Sequence, residues 1–72
     1  MDEREAKYLV DAANACHAIT EFVEGKSLSQ YKRDRLLRSA VERQLEILGE
    51  ALSRLDNLAP NIVRTILKWE IL

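Results

Sequence analysis

The sequence predicts an all-α chain, a small antiparallel bundle of three helices that is completed by oligomerisation. Three observations predict it. Apolar residues recur at spacings of three and four along each long segment, the period of a helix with one buried face. No segment alternates apolar and polar residues as a half-buried strand does. Two glycines and one proline in 72 residues leave few places to turn. Residues 1–72 are therefore read as a single helical domain, with helices at about 2–24, 35–55 and 60–72 and a connector over 25–33.

The first helix opens on Asp2, Glu3 and Glu5, acids that suit the positive end of a helix dipole. At 100° per residue Tyr8, Leu9, Ala12, Ala13, Ala15, Cys16, Ile19, Phe22 and Val23 share one broad face. Lys7, Asp11, Asn14, His17, Glu21 and Glu24 fall on the other. His17 and Glu21 stand four apart, so His17 reads as an exposed imidazole with a carboxylate neighbour. Gly25 stands where a residue in the left-handed region ends a helix.

In the connector, Ser27 or Ser29 can cap a helical turn carrying Leu28 and Tyr31, and Asp34 can cap the helix that follows. That helix is the most informative segment. Leu37, Val41, Gln44, Leu48, Ala51 and Leu55 follow one another at spacings of 4, 3, 4, 3 and 4. This is a heptad seam, flanked by Leu45, Ile47 and Leu52. Gly49 and Ala51 would let another helix approach closely. Gln44 is the polar member of the seam; a buried amide costs roughly 1–3 kcal/mol unless paired, so a partner is expected for it.

Asp56-Asn57 is expected to break the second helix, and Pro60 suits the first turn of a third. There Ile62, Val63, Ile66, Leu67 and Trp69 mark an apolar side. The sequence stops on Trp69-Glu70-Ile71-Leu72, an apolar turn without a polar cap, which suggests further chain or burial of the end in a partner.

Composition narrows the chemistry. A chain this short buries only about 60% of its unfolded surface, so it needs staples or a partner. One cysteine, Cys16, makes no internal disulfide and fits a reducing compartment. One histidine, His17, leaves a Cys/His zinc site short of ligands, and no metal or cofactor is expected. Cys16 and His17 are neighbours pointing about 100° apart, poor geometry for a nucleophile and its base. They are read as a core thiol beside a surface imidazole. No apolar run reaches ~18 residues and the N-terminus lacks a signal-like segment, so no membrane role is expected and the cytoplasm is the expected location.

Net charge is −1 but unevenly spread. Residues 1–25 hold six acids and two bases. Residues 26–43 hold Lys26, Lys32, Arg33, Arg35, Arg38 and Arg43 against Asp34 and Glu42. A solvated helix start accounts for this, and a surface facing a polyanion or an acidic partner is the alternative.

The run Asp34-Arg35-Leu36-Leu37-Arg38-Ser39-Ala40-Val41-Glu42-Arg43-Gln44-Leu45-Glu46-Ile47-Leu48-Gly49-Glu50-Ala51 resembles the HepT-like members of the HEPN superfamily. Asp34, Arg43, Glu46, Gly49 and Glu50 carry the match. Tyr8-Leu9-Val10-Asp11-Ala12 and the segment from Phe22 to Gly25 are similar to two earlier elements of that family. The resemblance covers residues 1 to about 56 and is most specific in Leu45-Glu46-Ile47-Leu48-Gly49-Glu50-Ala51.

The resemblance implies an up-and-down bundle of four or five helices that dimerises, from a prokaryote. It implies a ribonuclease toxin encoded beside a minimal nucleotidyltransferase antitoxin. The family's active motif is Arg, four residues, then His, often followed two residues later by a Tyr that the antitoxin modifies. That chemistry needs no metal: Arg steadies the phosphate and His moves a proton from the ribose 2′-hydroxyl. This sequence departs there. None of its arginines is followed five positions later by His, and Trp69 stands where Arg64 would require one. No catalytic residue is assigned, and the chain as given is read as non-catalytic.

Three functional readings follow. The first is a truncated or degenerate HepT-like toxin–antitoxin protein that keeps the helical dimerisation scaffold. The second is a helical interaction module, an antitoxin or assembly subunit, that binds a partner through the seam. The third is an RNA endonuclease whose catalytic part comes from elsewhere, and RNA is a partner only in that case. The first two place the working surface on Leu37, Val41, Gln44, Leu48, Ala51 and Leu55, with a homodimer or higher homo-oligomer as the main assembly and a nucleotidyltransferase antitoxin as a second partner.

Overall fold

The computed structural model describes the backbone of residues 1–71 and the side chains of residues 1–68. The expectation that the last helix reaches residue 72, and that Trp69 joins its apolar side, lies outside the described residues and side chains. Four helices follow one another: α1 (Glu3–Val23), α2 (Leu28–Arg33), α3 (Arg35–Leu58) and α4 (Pro60–Ile71). All described secondary structure is helical, as the spacing of apolar residues requires.

Local chemistry explains each boundary. Asp2 and Glu5 form a reciprocal cap on α1: the Glu5 N–H donates to Asp2 Oδ1 at 2.8 Å, and the Asp2 N–H to Glu5 Oε2 at 3.2 Å. Two of the helix's orphan donors are thereby satisfied. At the other end Glu24 (φ −56°, ψ 128°) and Gly25 (φ 72°) make the centre of a type II turn. It is closed by the Lys26 N–H on the Val23 carbonyl at 2.9 Å. The third position of such a turn needs a positive φ, which glycine adopts without a steric penalty.

The connector is more ordered than a single turn. Ser27 and Gln30 cap each other as Asp2 and Glu5 do, at 3.1 and 2.8 Å, and this organises the six residues of α2. The bundle therefore has four helices where the sequence predicts three.

The third helix runs through Leu58, past Asp56-Asn57, where a break was expected. Asp and Asn weaken a helix by only a few tenths of a kcal/mol each, too little to end it. Pro60 ends it, because the residue before proline is excluded from helical angles, and Ala59 sits at φ −148°, ψ 73°. Pro60 then begins α4, where its missing N–H costs nothing.

The long helices α1 and α3 lie antiparallel. Tyr8 shares a hollow with Arg54, and Phe22 shares one with Leu37 and Ala40. Ala12 and Ala15 of α1 are buried against Val41, Ala51 and Leu55 of α3, and α4 adds Val63. The small alanine side chains allow α1 and α3 to pack closely, and Leu55 is the largest side chain sealed from solvent.

The core is small. The chain is a flat rod of 40 × 25 × 15 Å and exposes 5715 Å². No described helix is long and apolar enough to cross a membrane.

Candidate functional site

Packing α3 on α1 leaves apolar residues of both helices beside α4. From α1 come Leu9, Ala12, Ala13 and Cys16, spaced three, one and three apart so that they line one stripe. Leu48 and Leu52, one turn apart, come from α3, and Ile66 and Leu67 come from α4. Together they enclose a groove of about 270 Å³. Every lining residue is apolar or a thiol, so the groove can bury an apolar side chain, and Cys16 is its one polar group.

The structure divides the predicted seam. Val41, Ala51 and Leu55 are buried within the chain's own bundle and reach no partner. Leu37, Gln44 and Leu48 are half-buried. Leu48 lies in the groove and Leu37 at the opposite end of α3, beside Phe22. The seam's heptad spacing is thus spent largely on α1, because a chain this short has no other face with which to build a core. Gln44, expected to need a partner for a buried amide, is not sealed from solvent, and no buried polar side-chain atom among the described residues lacks a hydrogen bond.

Cys16 corrects the reading of a core thiol: it is exposed on the lip of the groove. The broad apolar face of α1 is wider than α3 can cover, and Cys16 lies on its uncovered side. His17 is an exposed imidazole whose Nε2 lies 3.0 Å from Glu21 Oε1, the expected one-turn pair. Gly49 meets nothing within 4 Å of an added Cβ, so no helix of this chain uses the approach it allows.

The residues of the family-like run make local contacts. Asp34 caps α3 through the Leu37 N–H at 2.9 Å. Arg43 and Glu46 pair on the surface at 3.5 Å. Glu50 Oε1 accepts from Arg54 Nε at 3.2 Å and from Nη2 at 2.9 Å.

That last pair belongs to a polar cluster that sequence reasoning missed. Lys7 and Asp11 of α1 pair at 3.6 Å, Lys7 Nζ lies 5.3 Å from the Tyr8 ring centroid, and Tyr8 and Arg54 line one hollow. The Glu50 carboxylate foremost, and then the Tyr8 hydroxyl, push the Arg54 guanidinium above its ordinary pKa, so it remains a fixed cation. Two i,i+4 pairs, Lys7/Asp11 and Glu50/Arg54, were the available signal; only the antiparallel pairing of α1 and α3 brings them together. The cluster satisfies its own charges and holds no free base. Arg64 is exposed on α4.

Comparison with protein-family models finds a match described as ribonuclease HepT-like over residues 12–70. The match begins just after the Tyr8–Asp11 segment and continues through α4, further than the resemblance quoted from the sequence. No curated protein matches the chain. No solved structure matches it either.

Proposed function

The chain belongs to the ribonuclease HepT-like family, and on that premise we propose that it is a toxin–antitoxin protein keeping the helical association scaffold without a working ribonuclease site. Its task is association: pairing with a second copy, with a nucleotidyltransferase antitoxin as the heterologous partner. The observation that carries this reading is the apolar groove between α1, α3 and α4. Groove residues give an even oligomer a buried centre, and the exposed polar faces of α1 and α3 remain in water.

General acid–base cleavage at a ribose 2′-hydroxyl needs a base within hydrogen-bond reach and a cation on the phosphate. His17 is engaged with Glu21, and no arginine stands five positions before it.

The test is incubation of purified protein with labelled RNA, alongside His17→Ala. We expect no cleavage by either. Cleavage that survives His17→Ala would reveal a catalytic site absent from this account.

A further inference from the structure

The end of the bundle where α1, α2 and α3 meet carries a second surface, which shares no residue with the groove. Large apolar side chains stand in water there: Leu36 is 82% exposed, Leu28 69% and Phe22 37%. None of these exposures is needed to build the helices. Leu36 lies in the first turn of α3, where any helix former would serve, and Leu28 opens a six-residue helix that already has its cap.

Cations surround these side chains. Lys26, Lys32, Arg33, Arg35 and Arg38 lie in this corner, and none pairs with a carboxylate within 4.0 Å among the described residues. Elsewhere on α1 and α3 several cations pair one turn apart, as Lys7 does with Asp11 and Arg54 with Glu50. In this corner they do not.

The apolar and basic parts adjoin. One hollow of about 270 Å³ has Phe22, Leu36, Leu37 and Ala40 as its walls and Lys26 and Asp34 at its rim. A shallower one beside it shares Lys26 and Asp34 and adds Gln30, Arg33 and Arg35. Asp34 is the carboxylate common to both, and its Oδ1 is already committed to the Leu37 N–H at 2.9 Å. The rim therefore presents net positive charge.

We propose that this corner docks an acidic amphipathic helix of a protein partner, one that seats an aliphatic side chain in the Phe22/Leu36 hollow and aligns carboxylates with Lys26, Arg33 and Arg35. Charge complementarity fixes the sign of the partner, since unpaired cations around desolvatable aliphatic groups favour carboxylates on the opposing surface. Guanidinium groups add geometry, because they take carboxylates in paired hydrogen bonds. The chain's net charge of −1 gives it no overall pull toward an anionic bilayer, so the local patch favours a local partner. The hollow offers one aromatic ring, Phe22, where single-stranded RNA stacks successive bases on several aromatic faces.

The experiment is a fluorescence-anisotropy titration of the whole chain into a labelled helical peptide of Leu, Ala and Glu, with leucines on one face. The parallel probes are the same peptide with Lys for Glu, polyuridine RNA, and phosphatidylcholine vesicles containing phosphatidylserine. We expect the acidic peptide to bind in preference to all three, and to weaken as salt rises. Leu36→Asp and Arg33→Glu should each reduce its affinity by about tenfold, which is about 1.4 kcal/mol. Both side chains are exposed, so circular dichroism should show the helices intact in both variants. The proposal is overturned by no binding of the acidic peptide, by equal or tighter binding of any other probe, or by indifference to both substitutions. The chain's oligomeric mass should stay unchanged in both variants, so this test and that of self-association fail separately.

Discussion

The Asp34 carboxylate accepts the Leu37 N–H at 2.9 Å, while the Asp34 N–H donates to the Gln30 carbonyl at 3.0 Å. One residue thus closes α2 and opens α3 without an intervening loop. This sets the angle at which the basic corner meets the long helix pair. Asp34→Ala keeps the backbone bonds and loses the cap, and should cost about 1 kcal/mol in urea unfolding followed by circular dichroism.

The two glycines should respond oppositely to alanine. Gly25 holds a φ of 72° in the turn after α1, so Gly25→Ala should destabilise by about 1 kcal/mol. Gly49 lies inside α3 with open space around it, so Gly49→Ala should stabilise by about 0.5–1 kcal/mol. Thermal melts of both variants check the pair. A loss of stability at Gly49 that grows with protein concentration would place a partner helix there.

Leu55 is wholly buried. Leu55→Ala should cost about 2–5 kcal/mol. A domain of this size has little more than that in total, so the variant should be largely unfolded by circular dichroism at room temperature.

Glu50→Gln removes the carboxylate that holds Arg54. The pair is exposed on both sides, so the melting temperature should hardly move. The raised Arg54 pKa gives stability that is present below the unfolded value and is lost only as pH rises through the folded one. That window is strongly alkaline, so melts of the wild type and Glu50→Gln should differ by the same small amount from mildly acidic to mildly alkaline pH.

Much of the fold was legible because single residue types act locally. Gly25 supplies a positive φ, Asp34 a carboxylate cap, and Pro60 a compulsory helix start; none of these depends on the rest of the chain. Asp56-Asn57 misled because weak helix formers yield to a helix already stabilised by Leu55 and Ala51. The candidate site was less legible. The heptad spacing of α3 identified a buried seam but not its occupant, and α1 claims Val41, Ala51 and Leu55. The groove needs Cys16, Leu52 and Leu67 from three helices, and no spacing in the sequence relates them. The basic corner was visible as a run of charge, whereas its exposed Leu36 and Leu28 follow only from the angle between α2 and α3.

Leu48 and Leu67 test the groove as a contact surface. Leu67 is 50% exposed, so Leu67→Asp should leave the helices folded while placing a charge where a partner would exclude water. Leu48→Asp should abolish association as well, with some loss of stability because Leu48 is half-buried. Helicity by circular dichroism and mass by light scattering separate the two effects.

The most direct measurement is the solution mass of the unmodified chain by light scattering across a range of concentrations, with Leu67→Asp run in parallel. A dimer or higher even oligomer that falls to monomer in a still-helical Leu67→Asp is the expected result. A folded monomer at every concentration, or an oligomer unchanged by Leu67→Asp, would contradict the assignment of the groove as the association surface.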